Sequence, residues 1–285
     1  MIPVIVDGLV QGLQLALLAV GITLVYGLGG VLNLAHGQLA VVGGMAGALL
    51  MAAGAPTLVA VVLGVLAAAL GGVLLDRSLL RPAYRYRGEE RLLLGLVLTL
   101  GLSFAVDGFL TYRYADMALT LRLPVASVTV AGVTVRTASL VVSAVALAAF
   151  AALALFLKGT LLGKAVRSIM QNEAGAALCG IDTDRARTLV LALSGFLAGL
   201  AGVAQGLFSS LGPEMGPEFT ILALIVAVVG GVRSLTGTFA AGLLLGVVNA
   251  VAGYHVGTYI TWILLLVAAL LTLLVRPRGL LAYWT

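Results

Sequence analysis

Charge is scarce in this sequence of 285 residues, because only 9% of its residues are charged whereas 62% are hydrophobic. A soluble domain carries about 25% charged residues, and it uses them to cover its surface. This composition excludes a soluble globular fold and predicts an integral membrane protein. The apolar residues are spread evenly, so we expect a single polytopic domain over residues 1–285.

Cysteine and enzymatic motifs are also nearly absent. Cys179 is the only cysteine, which excludes an intrachain disulfide and a cysteine-based metal cluster. The stretch "GTLLGKA" at 159–165 is similar to a P-loop but is not one. A P-loop would need glycine in place of Lys158 and Ser or Thr in place of Ala165. There is no His-Glu-x-x-His motif. We therefore expect no catalytic residue, no metal, no cofactor and no nucleic-acid partner for this chain.

The long apolar runs predict the fold. A spanning helix needs about 20 apolar residues. The start of the chain has Asp7 where a signal peptide would be basic, so we expect an uncleaved first span. The sequence predicts an all-α polytopic membrane protein with about eight or nine transmembrane or re-entrant helices. The candidate segments are 8–28, 38–54, 57–76, 92–111, 138–157, 188–208, 218–232, 237–253 and 258–275.

Two features of these segments leave alternatives open. Only four residues, "RSLT", separate 218–232 from 237–253, so these segments are either two crossings or one broken, re-entrant unit. The N-terminus lies outside if 29–37 is a simple turn, and inside if 29–37 breaks a re-entrant element.

A weak internal repeat relates "GGVLNLAHGQLAVVG" at 29–43 to "GGVRSLTGTFAAG" at 230–242, and paired helix breaks are common in transporters.

Basic residues predict the orientation. Five arginines lie in 77–91, five basic residues lie in 158–187, and Arg276 and Arg278 lie in the tail. The positive-inside rule assigns all three segments to the cytoplasm, since an arginine at mid-bilayer costs about 2.5–3.5 kcal/mol. The segment 112–137 between the first two is then external, and its alternating "VASVTVAGVTV" favours a small hairpin.

The charged segment "GKAVRSIMQNEAGAALCGIDTDRAR" at 163–187 combines charge with a helical apolar stripe. The spacing predicts one or two short helices that follow Gly163, break between Asn172 and Gly175, and end at Gly180, with Asp182 capping the next helix. One reading is a solvated connector in the headgroups, and the other is a docking element for a cytoplasmic partner. The stripe consists of Val166, Ile169, Met170, Ala174, Ala177, Leu178 and Ile181.

Polar residues inside the apolar runs are the candidates for a substrate pathway, because such groups usually face the bundle interior or a cavity. Asn33 and His36 are three residues apart, so on a helix they would share a face. They either satisfy backbone groups at a helix break or line the path. The pathway candidates are Tyr26, Asn33, His36, Gln38, Gln205 and Asn249, and Thr23, Ser103, Asp107 and Ser194 are expected to bond between helices. The glycines Gly195, Gly199, Gly202 and Gly206 predict a close helix contact, either within the subunit or across a dimer.

The charged segment carries a family resemblance. Its pattern G-x-A-x-R, Q-N-E-A and L-x-G-I-x-x-D-R resembles the cytoplasmic coupling loop of the Liv-type branched-chain amino acid permeases of ATP-binding-cassette importers. Three further stretches are similar to that family in the same order: "TLVYGLGGVLNLAHGQLAVVGG" at 23–44, "SGFLAGLAGVAQG" at 194–206 and "GGVRSLTGTFAAGLLLG" at 230–246. Two positions depart from the family: Leu34 replaces the usual Phe, and Cys179 stands where Met is common.

The resemblance implies a function and a set of partners. The chain would be a multi-pass permease of the bacterial inner membrane that translocates branched-chain or related amino acids. A second permease, identical or homologous, would enclose the path. Two ATPase subunits, which bind ATP and magnesium, would dock on the loop within 158–187. An extracytoplasmic binding protein would deliver substrate near 112–137 and 209–217.

Within the loop, the resemblance assigns ATPase coupling to seven residues. Arg167 and Glu173 are expected to contact the ATPase cleft, and small side chains would permit close approach. The rival function is an ATP-independent facilitator or secondary transporter for a small polar solute. Such a protein would place a charged side chain at mid-span, and only Asp107 comes near. The seven coupling residues are Arg167, Asn172, Glu173, Ala174, Ala177, Gly180 and Asp182.

Overall fold

A computed structural model describes residues 1–115, 117, 119–121, 128–130, 133–276 and 279. In these residues the fold is almost entirely helical. Two short strands stand outside the helices, together with a π-helical turn at Asp76–Leu80 and a 3₁₀ turn at Ala83–Arg85. The helices are α1 (Ile2–Gly29), α2 (His36–Ala52), α3 (Thr57–Leu75), α4 (Glu89–Tyr114), α5 (Thr137–Gly159), α6 (Leu161–Gln171), α7 (Glu173–Leu178), α8 (Thr183–Phe208), α9 (Met215–Gly230), α10 (Leu235–Val256) and α11 (Thr258–Val275).

All nine predicted apolar segments are helices. Seven of the described helices are long and apolar enough to cross a membrane, whereas α2 and α9 have only 17 and 16 residues. The segments 218–232 and 237–253 correspond to two separate helices, α9 and α10. Gly231 ends α9 with φ of 102°, a backbone conformation that glycine adopts readily. Ser234 Oγ accepts a bond from Gly237 N and starts α10.

Helix α1 forms the centre of the bundle, with most of its side chains buried. It packs along α10 through facing glycines, and a Cβ on Gly246 would overlap the backbone of Gly12. Without side chains between them, the two backbones approach closely, as small residues allow in membrane helices. A bond between Thr23 Oγ1 and Thr238 Oγ1 at 3.0 Å adds a polar link, so the expected interhelical role of Thr23 is confirmed.

The glycine stripe of α8 packs inside the subunit. A Cβ on Gly195 would overlap the carbonyl oxygen of Ala68 on α3, and one on Gly202 would overlap that of Ala40 on α2. The predicted close helix contact is therefore confirmed, and its partners are two helices of the same chain.

The end of α1 lies at the face that carries the basic loops. Arg91 Nη1, which belongs to the basic segment 77–91, donates to Gly29 O at 3.3 Å. Helix α1 therefore begins at the opposite face, which the positive-inside rule makes external. This orientation agrees with the external alternative for the N-terminus. The linker after Gly29 is nevertheless more than a simple turn, because it runs back into the bundle before α2 starts.

The external segment contains the hairpin that the alternation predicted. Strands β1 (Val128–Val130) and β2 (Val133–Val135) pair antiparallel. Leu121 N donates to Gly206 O at 2.7 Å, and Leu119 bridges to Leu211, which fixes this segment over the end of α8. Part of the predicted external segment lies outside the described residues, including Arg122, as does Arg278 in the tail.

Candidate functional site

The charged segment folds as the helix pair α6–α7, and backbone capping explains where each helix begins. Thr160 Oγ1 accepts a bond from Gly163 N at 2.9 Å. Helix α6 therefore starts at Leu161, and Gly163 lies inside it, not before it as predicted. Asn172 Oδ1 accepts from Gly175 N at 3.0 Å, so the predicted break falls at Asn172.

The end of the helix pair also follows the sequence. Gly180 has φ of 81° and terminates the segment after α7. Asp182 Oδ1 accepts from Arg185 N at 3.0 Å and caps α8, as predicted. Gly180 and Asp182 therefore shape the connection between α7 and α8, and their part in ATPase coupling stays a prediction.

The apolar stripe of the pair is narrower than predicted. Val166 and Ile169 are buried against the bundle, and Ala176 supplies the buried position on α7. Ala174 and Ala177 are exposed, and Leu178 is 90% exposed. These three were expected in the stripe, but the break at Asn172 changes the direction of the helix and turns them outward. The outer face of α7 is thus a small, partly apolar surface.

Glu173 anchors this helix pair to the bundle. Its Oε2 lies 2.7 Å from Arg91 Nη1 on α4, and its Oε1 pairs with Arg187 Nη2 on α8. The side chains of Arg91 and Arg187 are only 12% and 6% exposed. A buried cation needs a partner charge. The carboxylate of Glu173 bonds both guanidinium groups, and Arg187 has a second partner in Asp184 Oδ1 at 3.0 Å.

An aromatic ring completes the anchor. The guanidinium carbon of Arg187 lies 4.1 Å from the centre of the Tyr84 ring, a cation–π distance. Arg91 donates to the carbonyls of Tyr84 and Tyr86. Burial raises the pKa of Tyr84 above its ordinary value, so its phenol stays neutral beside the two arginines. We name Tyr84, Arg91, Glu173 and Arg187 the anchor cluster.

The expected contact of Glu173 with an ATPase cleft stays a prediction. Within this chain both of its carboxylate oxygens bond inward, because the two arginines are buried beside it. Arg167 lies exposed on α6 and makes no ion pair with any residue that the structure describes. Six of the seven residues of the predicted coupling set are exposed, and Glu173 is the half-buried exception. The exposed six are Arg167, Asn172, Ala174, Ala177, Gly180 and Asp182.

The second site is the break between α1 and α2. Asn33 lies in the linker and His36 is the first residue of α2, so the two do not share a helical face as expected. Asn33 Oδ1 accepts from Ala35 N at 3.0 Å. His36 Nδ1 bonds Ser194 Oγ at 3.2 Å, and Gln38 Nε2 donates to Asp107 Oδ1 at 3.4 Å, which confirms Ser194 and Asp107 as interhelical partners.

Helix α9 meets the same break from the other side. Gly37 N donates to Thr220 Oγ1 at 2.9 Å, which joins the first turn of α2 to the second turn of α9. Leu34 N donates to Thr99 Oγ1 on α4 at 3.0 Å. The irregular backbone is thus satisfied by neighbouring helices, which is the condition for a broken helix in a membrane. Asn33, His36 and Gln38 are fully buried here. Only Asn33 bonds a backbone group at the break with its side chain, so for His36 and Gln38 both interpretations stay predictions.

The third site is a cavity of about 660 Å³ beside the start of α1 and the start of α5, at the face that the positive-inside rule predicts to be external. Gln205 and Asn249 line it, whereas Tyr26 and the three residues of the helix break do not. The sequence did not single out most of its other polar residues, which come from five different helices or their ends. The cavity is lined by Asp7, Val10, Gln11, Gln14, Leu15, Leu18, Arg136, Ser139, Gln205, Phe208, Ser209, Glu218, Phe219, Leu222, Asn249, Ala250, Gly253, Thr258, Thr261 and Trp262.

Hydrogen bonds order the uncharged wall of the cavity. Gln14 Nε2 donates to Gln205 Oε1 at 2.6 Å and to Ala201 O at 3.3 Å. Gln205 Nε2 donates to Ser209 Oγ at 2.7 Å, and Asn249 Nδ2 donates to Gln11 Oε1 at 3.1 Å. These amides hold one another in place between α1, α8 and α10. In the described part of the chain, no cluster of His, Cys, Asp and Glu could hold a metal ion.

Membrane-length helices, two incomplete helices joined inside the bundle and a polar external cavity define a polytopic transport permease. Comparison with known sequences shows the family. Residues 4–275 match the family described as the permease component of branched-chain amino acid transport systems, and the chain belongs to this family. The protein is therefore a permease of the ATP-binding-cassette type in the inner membrane, as the sequence predicted.

Individual relatives span nearly the whole chain. The high-affinity branched-chain amino acid transport system permease protein LivH of Salmonella typhimurium is 30% identical, and the match covers 96% of this chain and 93% of the relative. The corresponding protein BraD of Pseudomonas aeruginosa is 29% identical over 97% and 94%. A solved structure, PsaBC from Streptococcus pneumoniae in complex with Fab, covers 98% of this chain and 94% of that chain with a TM-score of 0.52. At 14% identity it shows a shared fold.

Proposed function

We propose that this permease imports branched-chain or related amino acids and that separate ATPase subunits power it by docking on the helix pair α6–α7. The names of LivH and BraD support the substrate class. The observation that carries the docking role is the anchor cluster. Its inner side ties α7 to α4 and α8 through Glu173, while the outer side of α7 exposes Ala174, Ala177 and Leu178.

The geometry suggests how a push on the helix pair reaches the membrane. A displacement of α7 acts through the carboxylate of Glu173 on Arg91 and Arg187, which stand in the first turns of α4 and α8. Helix α8 packs backbone to backbone on α2 and α3. The ATPases then bias two arrangements of these helices, which is the requirement for alternating access.

The remaining components belong to the same proposal. A second permease chain, identical or homologous, completes the path, and an extracytoplasmic binding protein delivers the substrate to the external face around 112–137 and 209–217. ATP and magnesium bind to the two ATPase subunits, and this chain performs no covalent chemistry. Among the coupling residues, Glu173 is a positioning residue, and Arg167, Ala174 and Ala177 supply the contact surface.

Reconstitution tests this function. The chain is assembled in proteoliposomes with the second permease, the ATPases and the secreted binding protein from neighbouring genes, and uptake of radiolabelled leucine is measured. We expect uptake that requires both ATP and the ATPase subunits. Uptake that continues without nucleotide or without the ATPases would instead identify an ATP-independent facilitator.

A further inference from the structure

We propose that the external cavity is a binding site for the amino acid in its zwitterionic form, within this single chain. This inference rests on the proposed function and gives it a location. It follows from three properties of the cavity: side chains of both charges, an apolar wall, and a set of amides that are already ordered. A cavity of about 660 Å³ also lies within the range of about 300–1,000 Å³ typical of small-molecule sites.

The charged residues suit a ligand that carries both charges. Arg136 precedes α5, Asp7 lies in α1, and Glu218 lies in the first turn of α9. All three line the cavity, and they form no ion pair with one another in the described structure. An arginine can bind a carboxylate through two parallel hydrogen bonds. Arg136 therefore suits the α-carboxylate, and Glu218 or Asp7 suits the α-ammonium group.

The apolar wall suits an aliphatic side chain. Leu18 and Phe219 are buried, and Leu222 and Trp262 are half-buried beside them. Asp7 and Arg136 are exposed and Glu218 is half-buried, so two of the three charged residues mark the open side and the apolar residues mark the deeper wall. A ligand with its charged end outward and its hydrocarbon inward satisfies both surfaces.

The amides give one wall of the cavity a fixed shape. Gln14 and Gln205 are bonded to each other, and Asn249 is bonded to Gln11. These bonds hold the amides in place before a ligand enters. The apolar wall opposite the charged residues then favours the aliphatic side chains of leucine, isoleucine and valine.

Ligand binding tests this inference separately from transport. The purified transporter, which is the permeases with their ATPases in lipid nanodiscs, is titrated with radiolabelled L-leucine without binding protein or nucleotide. We expect saturable binding that is competed by valine but not by 4-methylpentanoate, which lacks the ammonium group, or by isoamylamine, which lacks the carboxylate. Arg136→Gln and Glu218→Gln should each weaken binding at least tenfold.

Matched variants keep the test interpretable. Arg113→Gln removes an exposed external arginine that does not line the cavity, and it should bind leucine as the wild type does. Arg136→Lys retains the charge and should bind more tightly than Arg136→Gln. If Glu218→Gln fails to fold, Asp7→Asn at an exposed position replaces it, with the same expected direction.

Two results would overturn the cavity site: no saturable leucine binding by the wild type, or equal binding by Arg136→Gln and the wild type. ATP-driven uptake with the binding protein is measured on the same preparations. Normal uptake together with either result would reject the cavity and leave the importer function intact. Loss of uptake in the wild type would reject the function itself.

Discussion

Glu173 and Arg187 form an ion pair that joins the short helix α7 to the first turn of α8. The same carboxylate reaches Arg91 on α4 at 2.7 Å. Arg187 lies 14 positions after Glu173 in the sequence, and Arg91 lies 82 positions before it. One acidic side chain therefore links the cytoplasmic helix pair to two membrane helices, and this link leads to the first prediction.

Replacing Glu173 with glutamine should uncouple the transporter. The amide has no charge to hold Arg91, whereas Arg187 keeps its ion pair with Asp184. Removing one partner of a fully buried ion pair costs about 3–5 kcal/mol, and the cost should be smaller here because the Glu173 side chain is 32% exposed. We expect the variant to unfold at a lower temperature and the leucine transported per ATP hydrolysed to fall at least tenfold. Both are measured on the reconstituted complex.

Glu89 provides the control for this variant. It lies exposed in the first turn of α4 and forms no ion pair with a residue that the structure describes, so Glu89→Gln should change neither quantity. In the double variant with Arg187→Gln, the loss of stability should be smaller than the sum of the two single losses. Additive losses would show that the ion pair has no energetic role.

Ala174→Trp should block ATPase docking while leaving the permease folded. Ala174 is exposed on the outer face of α7, so the indole meets no neighbour within the chain but occupies the proposed contact surface. We expect normal membrane insertion and thermal stability, and loss of the ATPase subunits on affinity purification. Ala53→Trp, exposed at the external end of α2, should retain them. Retention by both variants would remove the docking role from α7.

Gly202→Ala should destabilise the bundle, because its methyl group would overlap the carbonyl oxygen of Ala40 on α2. Overpacking of this kind costs about 1–3 kcal/mol. Gly101 is the matched control, since a Cβ there meets nothing within 4 Å, and Gly101→Ala should be neutral or stabilising by up to about 1 kcal/mol. The melting temperatures of the two variants in detergent test this prediction. A melting temperature of Gly101→Ala below that of Gly202→Ala would contradict this packing.

The helices were predictable because their signal is local. A run of about 20 apolar residues identifies a span wherever its neighbours lie, and the caps at Asn172 and Asp182 depend on the adjacent backbone. The start of α6 was predicted less well, since the cap at Thr160 lies before the stretch that carried the pattern. The direction of Ala174 and Leu178 was missed because the break at Asn172 interrupts the helical period.

The site was predictable only in part, because its contacts join distant segments. Gln205 and Asn249 were identified as isolated polar residues in apolar runs, but nothing in the sequence placed them with Arg136 and Glu218. The partners of Glu173 were likewise not predictable, since Arg91 lies on another helix. The helix break at Asn33 and His36 was predicted as one of two readings, and the bonds from Ser194 and Thr220 that satisfy it required the packed structure.

The native Cys179 offers the most direct measurement of the central claim that the helix pair α6–α7 faces the cytoplasm and is covered by a separate ATPase. It is the only cysteine in the sequence, and it is exposed directly after α7. A membrane-impermeant maleimide should label it in inside-out vesicles but not in right-side-out vesicles, and bound ATPase subunits should slow the labelling at least tenfold. Labelling from the external side, or equal rates with and without the ATPases, would contradict the account.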